Sequence, residues 1–170
     1  LLGSINLDDD DSVLSGSVYL QVIHNKIQGI PSIDLDLEVR VQQFCRMTIK
    51  KGLLNSAHDI SDGGLGVSLA ESCVSGRIGF KSILDIGDRW DIELFGESQS
   101  RIIVSLAQDK LKMLEQLALE GSIPMVKLGY VGGGSLSIPK LMEITLEDLQ
   151  DTWTHSLEKA LYDVPDNSIP

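Results

Sequence analysis

The chain has 170 residues, 42% of them apolar, enough for one domain with its own core. It carries 25 acidic residues against 14 basic ones, a formal charge of −11. That balance excludes a dominant nucleic-acid surface, which needs clustered Lys and Arg, and an anionic membrane partner, while leaving room for a local basic pocket.

Residues 1–16 run from Leu1-Leu2-Gly3 into Asp8-Asp9-Asp10-Asp11, four carboxylates that repel one another, so the segment reads as a mobile, solvated, acidic lead-in. Alternating ligand spacing and a following Glu are missing for a calcium loop. Residues 17–24 predict a short helix, followed by a linker with Gly29 and Pro31. From Asp34, the positions of Leu37, Val41, Phe44, Cys45, Thr48 and Ile49 form one helical stripe. Asp34 or Asp36 can cap that helix, Lys50 and Lys51 suit its C-terminal dipole, and Gly52 stops it. Ser56–Ile60 reads as a short buried strand, and Leu65–Ser75 as a helix with Leu65, Leu69 and Cys73 on one line and small Gly66 and Ala70 on another. Ile78–Leu84 is strand-like, Ile92–Phe95 reads as part of a sheet, and Arg101–Ala107 is the clearest strand. A helix opened by Asp109 ends at Gly121. A strand over Met125–Val131 then turns through Gly132-Gly133-Gly134, as a hairpin, into Leu136–Ile138. The last helix starts at Thr145 with Asp148 as a weak capping box, its buried stripe being Leu146, Leu149, Trp153, Leu157 and Ala160/Leu161. Residues 163–170 read as a frayed tail. The expectation is one α/β (α+β) domain over 1–162, a mixed β-sheet with helices packed on it.

No apolar run approaches the roughly 18 residues that span a bilayer. Cys45 and Cys73 lie in helical patterns, and no CxxC or Cys/His cluster suggests zinc. With few cysteines and no signal-peptide pattern, the chain is expected to be cytoplasmic. It starts at Leu1 without methionine, so it is expected to be part of a longer polypeptide with an exposed apolar patch on the 17–24 helix and near Ile92–Phe95, where a neighbour would sit.

Two clusters could carry chemistry. The first, His58-Asp59-Ile60-Ser61-Asp62-Gly63-Gly64, sits between strand and helix. Glycines allow φ > 0, and helix N-terminal N–H groups suit an anion such as a phosphate. Alternatively, Ser61 or Asp62 caps the helix and the glycines only make the turn. The second, Glu97-Ser98-Gln99-Ser100-Arg101, precedes the best strand. Glu97 could accept from a hydroxyl or amine, Ser98 and Gln99 could recognise a polar ligand, and Arg101 could meet a carboxylate or phosphate. The alternative is a turn with Glu97 and Arg101 salt-bridged or solvated. Of the three histidines, His58 reads as a hydrogen-bonded core residue and His155 as surface.

Together, SAHDISDGGLGVSLAES at 56–72 and DIELFGESQSRIIVSL at 91–106 resemble the phosphoribosylformylglycinamidine synthase family, and within it the last, PurM-like (AIR synthase-related) C-terminal domain. Upstream, Leu1-Leu2-Gly3, Gly16-Ser17-Val18-Tyr19-Leu20 and Val22-Ile23-His24 follow a family pattern of roughly LLG…GGSEYLxxIHG, with Ser15, Val18 and Asn25 departing from it. The resemblance covers roughly residues 1–140. It implies a PurM C-terminal-domain fold and a role in an ATP-dependent carbon–nitrogen ligase of purine biosynthesis, which uses ATP, Mg2+ and ammonia to make an amidine through an iminophosphate. It also implies a glutaminase of the PurQ type and a small bridging subunit of the PurS type as partners, with no nucleic acid and no membrane.

The family chain is internally duplicated, and its Glu-Ser-Gln motif contacts substrate in the first copy. This chain resembles the second copy, while the catalytic histidines and most ATP and magnesium ligands lie on N-terminal-type domains. The resemblance therefore assigns this chain no catalytic residue, no metal ligand and no cofactor of its own. It leaves Asp59, Ser61, Asp62, Gly63, Gly64, Glu97, Ser98, Gln99 and Arg101 as a candidate auxiliary nucleotide or phosphate pocket beside a scaffold and interdomain role. Other readings are a non-catalytic ligand-binding or oligomerisation module, and the C-terminal domain of another PurM-superfamily ATP-dependent enzyme.

Overall fold

The computed structural model describes residues 1–4 and 11–162. Its strands form two sheets. The first has the order β1 (Leu2–Gly3), β4 (Arg101–Ser105), β2 (Ser56–Asp59) and is antiparallel throughout. The second has the order β5 (Gly129–Val131), β3 (Phe80–Ser82), β6 (Ser135–Ile138), β7 (Met142–Thr145), with β3 and β6 parallel and the other pairs antiparallel. The expected mixed α/β architecture is present, split into two sheets.

The described residues form six α-helices: α1 (Val18–His24), α2 (Leu35–Lys50), α3 (Gly64–Gly76), α4 (Trp90–Phe95), α5 (Leu111–Glu120) and α6 (Leu146–Tyr162). Helices α2, α3, α5 and α6 pack against the sheets, and α4 packs on α3. Strand β4 organises the core because successive side chains point to opposite faces. Ile102 and Val104 pack into a cluster with Val41 and Phe44 of α2 and Leu114 and Ala118 of α5. Ile103 packs on the other face, with Leu65, Leu69 and Cys73 of α3 and with Phe80 and Leu136 of the second sheet. A third cluster joins Leu14 and Ile92 to Tyr19, Leu20 and Phe95.

Helix α2 follows its sequence signals closely. The Asp34 carboxylate accepts from Leu37 N–H at 3.0 Å, and Val41, Phe44, Cys45 and Thr48 are buried, whereas Ile49 at the stripe's end is exposed. Fully burying an aliphatic or aromatic side chain is worth about 1.5–3 kcal/mol, so this stripe, not intrinsic propensity, holds the helix down.

Several expectations are corrected. Leu2 and Gly3 are not part of a solvated lead-in: they form an edge strand on β4 with Leu2 fully buried, and Asp11–Leu14 make a 3-10 turn. Asp8–Asp10 and the tail 163–170 lie outside the described residues. β2 is a largely exposed edge strand, because its Ser56, Ala57 and His58 line an open cavity and are not packed over. Ile92–Phe95 belongs to a helix, α4, whose Ile92 and Leu94 are covered by this chain's own residues. The Gly132–Gly134 turn makes no hairpin, since β5 and β6 flank β3 instead of pairing with each other. The hairpin is β6–β7. On α6 half of the capping box forms: Asp148 N–H donates to Thr145 Oγ1 at 3.1 Å, while the Thr145 hydroxyl donates to Asp148 Oδ2 at 2.7 Å. Its stripe, however, is buried only in part. Leu146 and Leu149 pack on the α3 cluster, while Trp153, Leu157 and Leu161 are 60%, 72% and 66% exposed. At 1.5 Å per residue the helix is about 25 Å long and overhangs its support. Among the described residues no helix is long and apolar enough to cross a membrane.

Candidate functional site

The two predicted clusters meet in space. β2 delivers the chain into the Ser61-Asp62-Gly63-Gly64 turn, and α4 delivers it into Gly96-Glu97. Neither Ser61 nor Asp62 caps α3 with its side chain. Gly63 is the N-cap, at φ 82° and ψ 0°, and Gly64 follows at φ 69°. Both conformations are left-handed, which glycine adopts without a Cβ penalty. A Cβ on Gly64 would lie 2.7 Å from the Leu94 carbonyl oxygen and 2.8 Å from that of Gly96, so this glycine also lets α3 start directly against the end of α4. Further along, Gly66 lies against Leu94 and Phe95, as the small-residue line on α3 foretold.

The donor that this turn exposes is already used. Glu97 Oε1 accepts from Gly63 N–H at 2.8 Å and from Val18 N–H at 2.8 Å. One carboxylate thus satisfies the first N–H groups of two helices, α3 and α1, where unpaired donors and the positive end of the helix dipole favour negative charge. Ser17 completes the α1 start, its Oγ accepting from Leu20 N–H at 3.3 Å. Glu97 itself is fixed from behind, its N–H donating to Val13 O at 3.1 Å.

Arg101 does not join Glu97. It is 2% exposed, and its Nη1 donates to Gly96 O at 3.0 Å while Nε has no hydrogen-bond partner. Burial depresses its pKa to about 10, so it stays cationic at neutral pH. Ser98 Oγ and Ser100 Oγ are likewise buried without a partner. Glu97, Ser98, Gln99 and Ser100 line a polar cleft of about 170 Å3 whose other walls include Ser4, Ser12, Ser15, Ser32 and Asp34. Asp59, Ser61 and Asp62 are exposed, and none of them, nor Arg101, lines that cleft.

His58 is half-exposed, not a core residue. Its Nδ1 lies 2.6 Å from the Asp59 carbonyl oxygen and its Nε2 3.3 Å from Glu71 Oε2. His155 is on the surface beside Asp151. Burial pushes the thiols of Cys45 and Cys73 up, away from reactivity. Among the described residues no group of three or more His, Cys, Asp or Glu converges to hold a metal.

Sequence reasoning did not find the part played by Val18 N–H, although Gly16-Ser17 before an apolar run was its signal. Ser100, at φ 63°, carried no local signal at all.

The chain belongs to the family "AIR synthase related protein, C-terminal domain", which its residues 1–139 match. Within that family it is similar to proteins named phosphoribosylformylglycinamidine synthase subunit PurL. The protein of Thermoanaerobacter pseudethanolicus is 38% identical over 154 residues, covering 88% of this chain and 21% of the relative. That of Thermosynechococcus vestitus is 41% identical over 167 residues, covering 91% and 22%. The chain thus spans about a fifth of the length of these relatives. The fold is shared with Thermotoga maritima PurL complexed with FGAR (TM-score 0.61, 19% identity, 72% of this chain and 22% of that one). It is shared equally with PurLQS from the same organism (TM-score 0.61, 18% identity, 80% and 24%).

Proposed function

We propose that the chain acts as the C-terminal AIR synthase-related domain of a cytoplasmic phosphoribosylformylglycinamidine synthase, an ATP-dependent carbon–nitrogen ligase of purine biosynthesis. The observation that carries this reading is identity of 36–41% to PurL proteins over 87–95% of the chain. The domain's part is scaffold and interdomain surface. Val22, Ile23, Ile27, Ile30, Ile33, Leu35 and Val39 are all at least half exposed, an apolar face on α1, the linker and α2 that suits contact with the remainder of such an enzyme.

The residues present do not fit a magnesium ion or a triphosphate. No acidic or histidine cluster converges among the described residues, and the Gly63 donor is filled by Glu97. In this reading ATP and Mg2+ are held by other domains of the enzyme, and a glutaminase and a bridging subunit are its further partners. An auxiliary ligand in this copy would be met by Ser98 and Gln99 in the small cleft, with Asp59, Ser61 and Asp62 at the exposed turn nearby; Arg101 is sealed off from it.

The test is ADP release and amidine formation from formylglycinamide ribonucleotide, ATP, Mg2+ and ammonia. The full-length gene product should turn over and the 170-residue chain alone should not. An inactive full-length protein, or turnover by the isolated chain, overturns the reading.

A further inference from the structure

A second, larger cavity, of about 780 Å3, opens between the three-stranded sheet, α3 and the β5 edge of the other sheet. Its size falls in the ordinary range of small-molecule pockets, roughly 300–1,000 Å3. Leu69 and Cys73 of α3, Phe80 of β3, Ile103 of β4, Leu111 of α5 and Leu128 give it apolar walls. Its electrostatics run against those of the chain. The molecule carries a formal charge of −11, yet among the described residues no Asp or Glu side chain lines this cavity. The basic side chains on its wall, among the described residues, are Lys127 and His58. The Lys127 ammonium sits 4.0 Å from the centroid of the Tyr130 ring, held by an aromatic face and not by a carboxylate. The His58 ring points one nitrogen at Glu71, whose carboxylate lies outside the cavity lining.

We propose that this cavity binds a small amphiphilic anion, an aromatic or aliphatic body carrying a single carboxylate-type group. The body lies between α3 and β4, and the anion meets Lys127 beside Tyr130. A polyphosphate is a poor fit, because one lysine would face several charges. A wholly neutral ligand leaves the Lys127 ammonium without a counter-charge. This site shares no lining residue with the Glu97 cleft and stands independently of the ligase reading.

The probe is 8-anilinonaphthalene-1-sulfonate, titrated into the folded full-length protein and competed by 2-naphthoate or by its uncharged counterpart 2-naphthamide. One saturable site is expected, with naphthoate displacing the dye at about two- to fivefold lower concentration than naphthamide, the range of a partly exposed ion pair. Ile103→Trp, which fills the cavity, should abolish the site. Lys127→Ala should leave naphthamide competition unchanged and erase the preference for naphthoate. Because Lys127 stands on the wall and not in the core, that variant decides the matter even if Ile103→Trp fails to fold. No saturable site, equal competition by the two naphthalenes, or a preference that survives Lys127→Ala overturns the proposal.

Discussion

Replacing Glu97 tests the central feature of the 63–101 region, that one internal carboxylate fastens two helix starts. In Glu97→Ala, Gly63 N–H and Val18 N–H each lose an acceptor at 2.8 Å. A hydrogen bond to a charged group contributes about 1.5–3 kcal/mol net where it is sheltered. The Gly63 bond is partly buried and is assigned about 2 kcal/mol; the Val18 bond is exposed and solvent screening reduces it to below about 1 kcal/mol. The sum is a loss of about 2–3 kcal/mol, a fall in melting temperature of roughly 5–10 °C for a domain of this size. Glu97→Gln keeps an acceptor oxygen but no charge, and should lose about 1 kcal/mol. Urea unfolding followed by circular dichroism gives the free energies, provided the denaturant slope is the same in all three proteins. Amide hydrogen exchange gives the location: Gly63 and Val18 should lose protection in the Ala variant, while Ile102 and Val104 in β4 should lose it only through the lower global stability. An unchanged urea midpoint in Glu97→Ala, or unchanged exchange at Gly63, would refute the double-cap argument.

Gly64→Ala should be more damaging than its size suggests, by about 2–4 kcal/mol. It places an L-residue at φ 69° and drives a Cβ to within 2.7 Å of a backbone oxygen. The urea midpoint reads this directly. Arg101→Met exchanges a buried, carboxylate-free guanidinium for an apolar side chain of similar length, and should cost less than about 1.5 kcal/mol despite the lost bond to Gly96. Its pH signature has a definite sign. The folded-state pKa, about 10, lies below the unfolded value, so burying the charge penalises the native state at all pH values below it and is relieved as pH rises through it. The stability of the wild type relative to Arg101→Met should therefore increase between about pH 9 and pH 11, and a flat difference would contradict the burial argument.

What the sequence disclosed, and what it hid, divides along the range of the interaction. The α2 helix was legible because its cap, stripe, terminal lysines and stop are all local. The α3 start was legible as a glycine turn, but not its purpose, since the carboxylate that fills it stands 34 residues further on. Ile92–Phe95 has one apolar pattern that fits a strand or a single helical turn, and only the Tyr19–Phe95 stack at 5.0 Å and the Leu14–Ile92 contact select the helix. β2 was read as buried because it is short and precedes a motif. Burial depends instead on what packs over a strand's faces, and Ser56, Ala57 and His58 of β2 line an open cavity. The glycine run at 132–134 suggested a hairpin, but the sheet order places β3 between the two strands it connects, a choice fixed by residues some fifty positions upstream.

The expected apolar patch divides in the same way, and its surviving half is open to test. Ile92 and Leu94 are 1% and 2% exposed, so these two side chains do not await a neighbour. Ile27 and Ile30, by contrast, are 80% and 85% exposed, with Ile23 and Ile33 beside them in sequence. Isolated exposed isoleucines are ordinary, but a succession of them joining two helices is information for a contact that these residues do not make among themselves. Each isoleucine fully covered by a neighbour is worth about 1.5–3 kcal/mol. The double change Ile27→Glu, Ile30→Glu should therefore destabilise the full-length protein by about 3–5 kcal/mol and lower the ligase activity proposed for it. In the isolated 170-residue chain, where both side chains meet water, it should shift stability by no more than about 0.5 kcal/mol per site. The contrast between the two backgrounds is the decisive quantity, because a merely local effect of glutamate on the linker would appear equally in both. Equal losses would mean that the isoleucines serve this domain alone, and the interdomain reading of that face would fall.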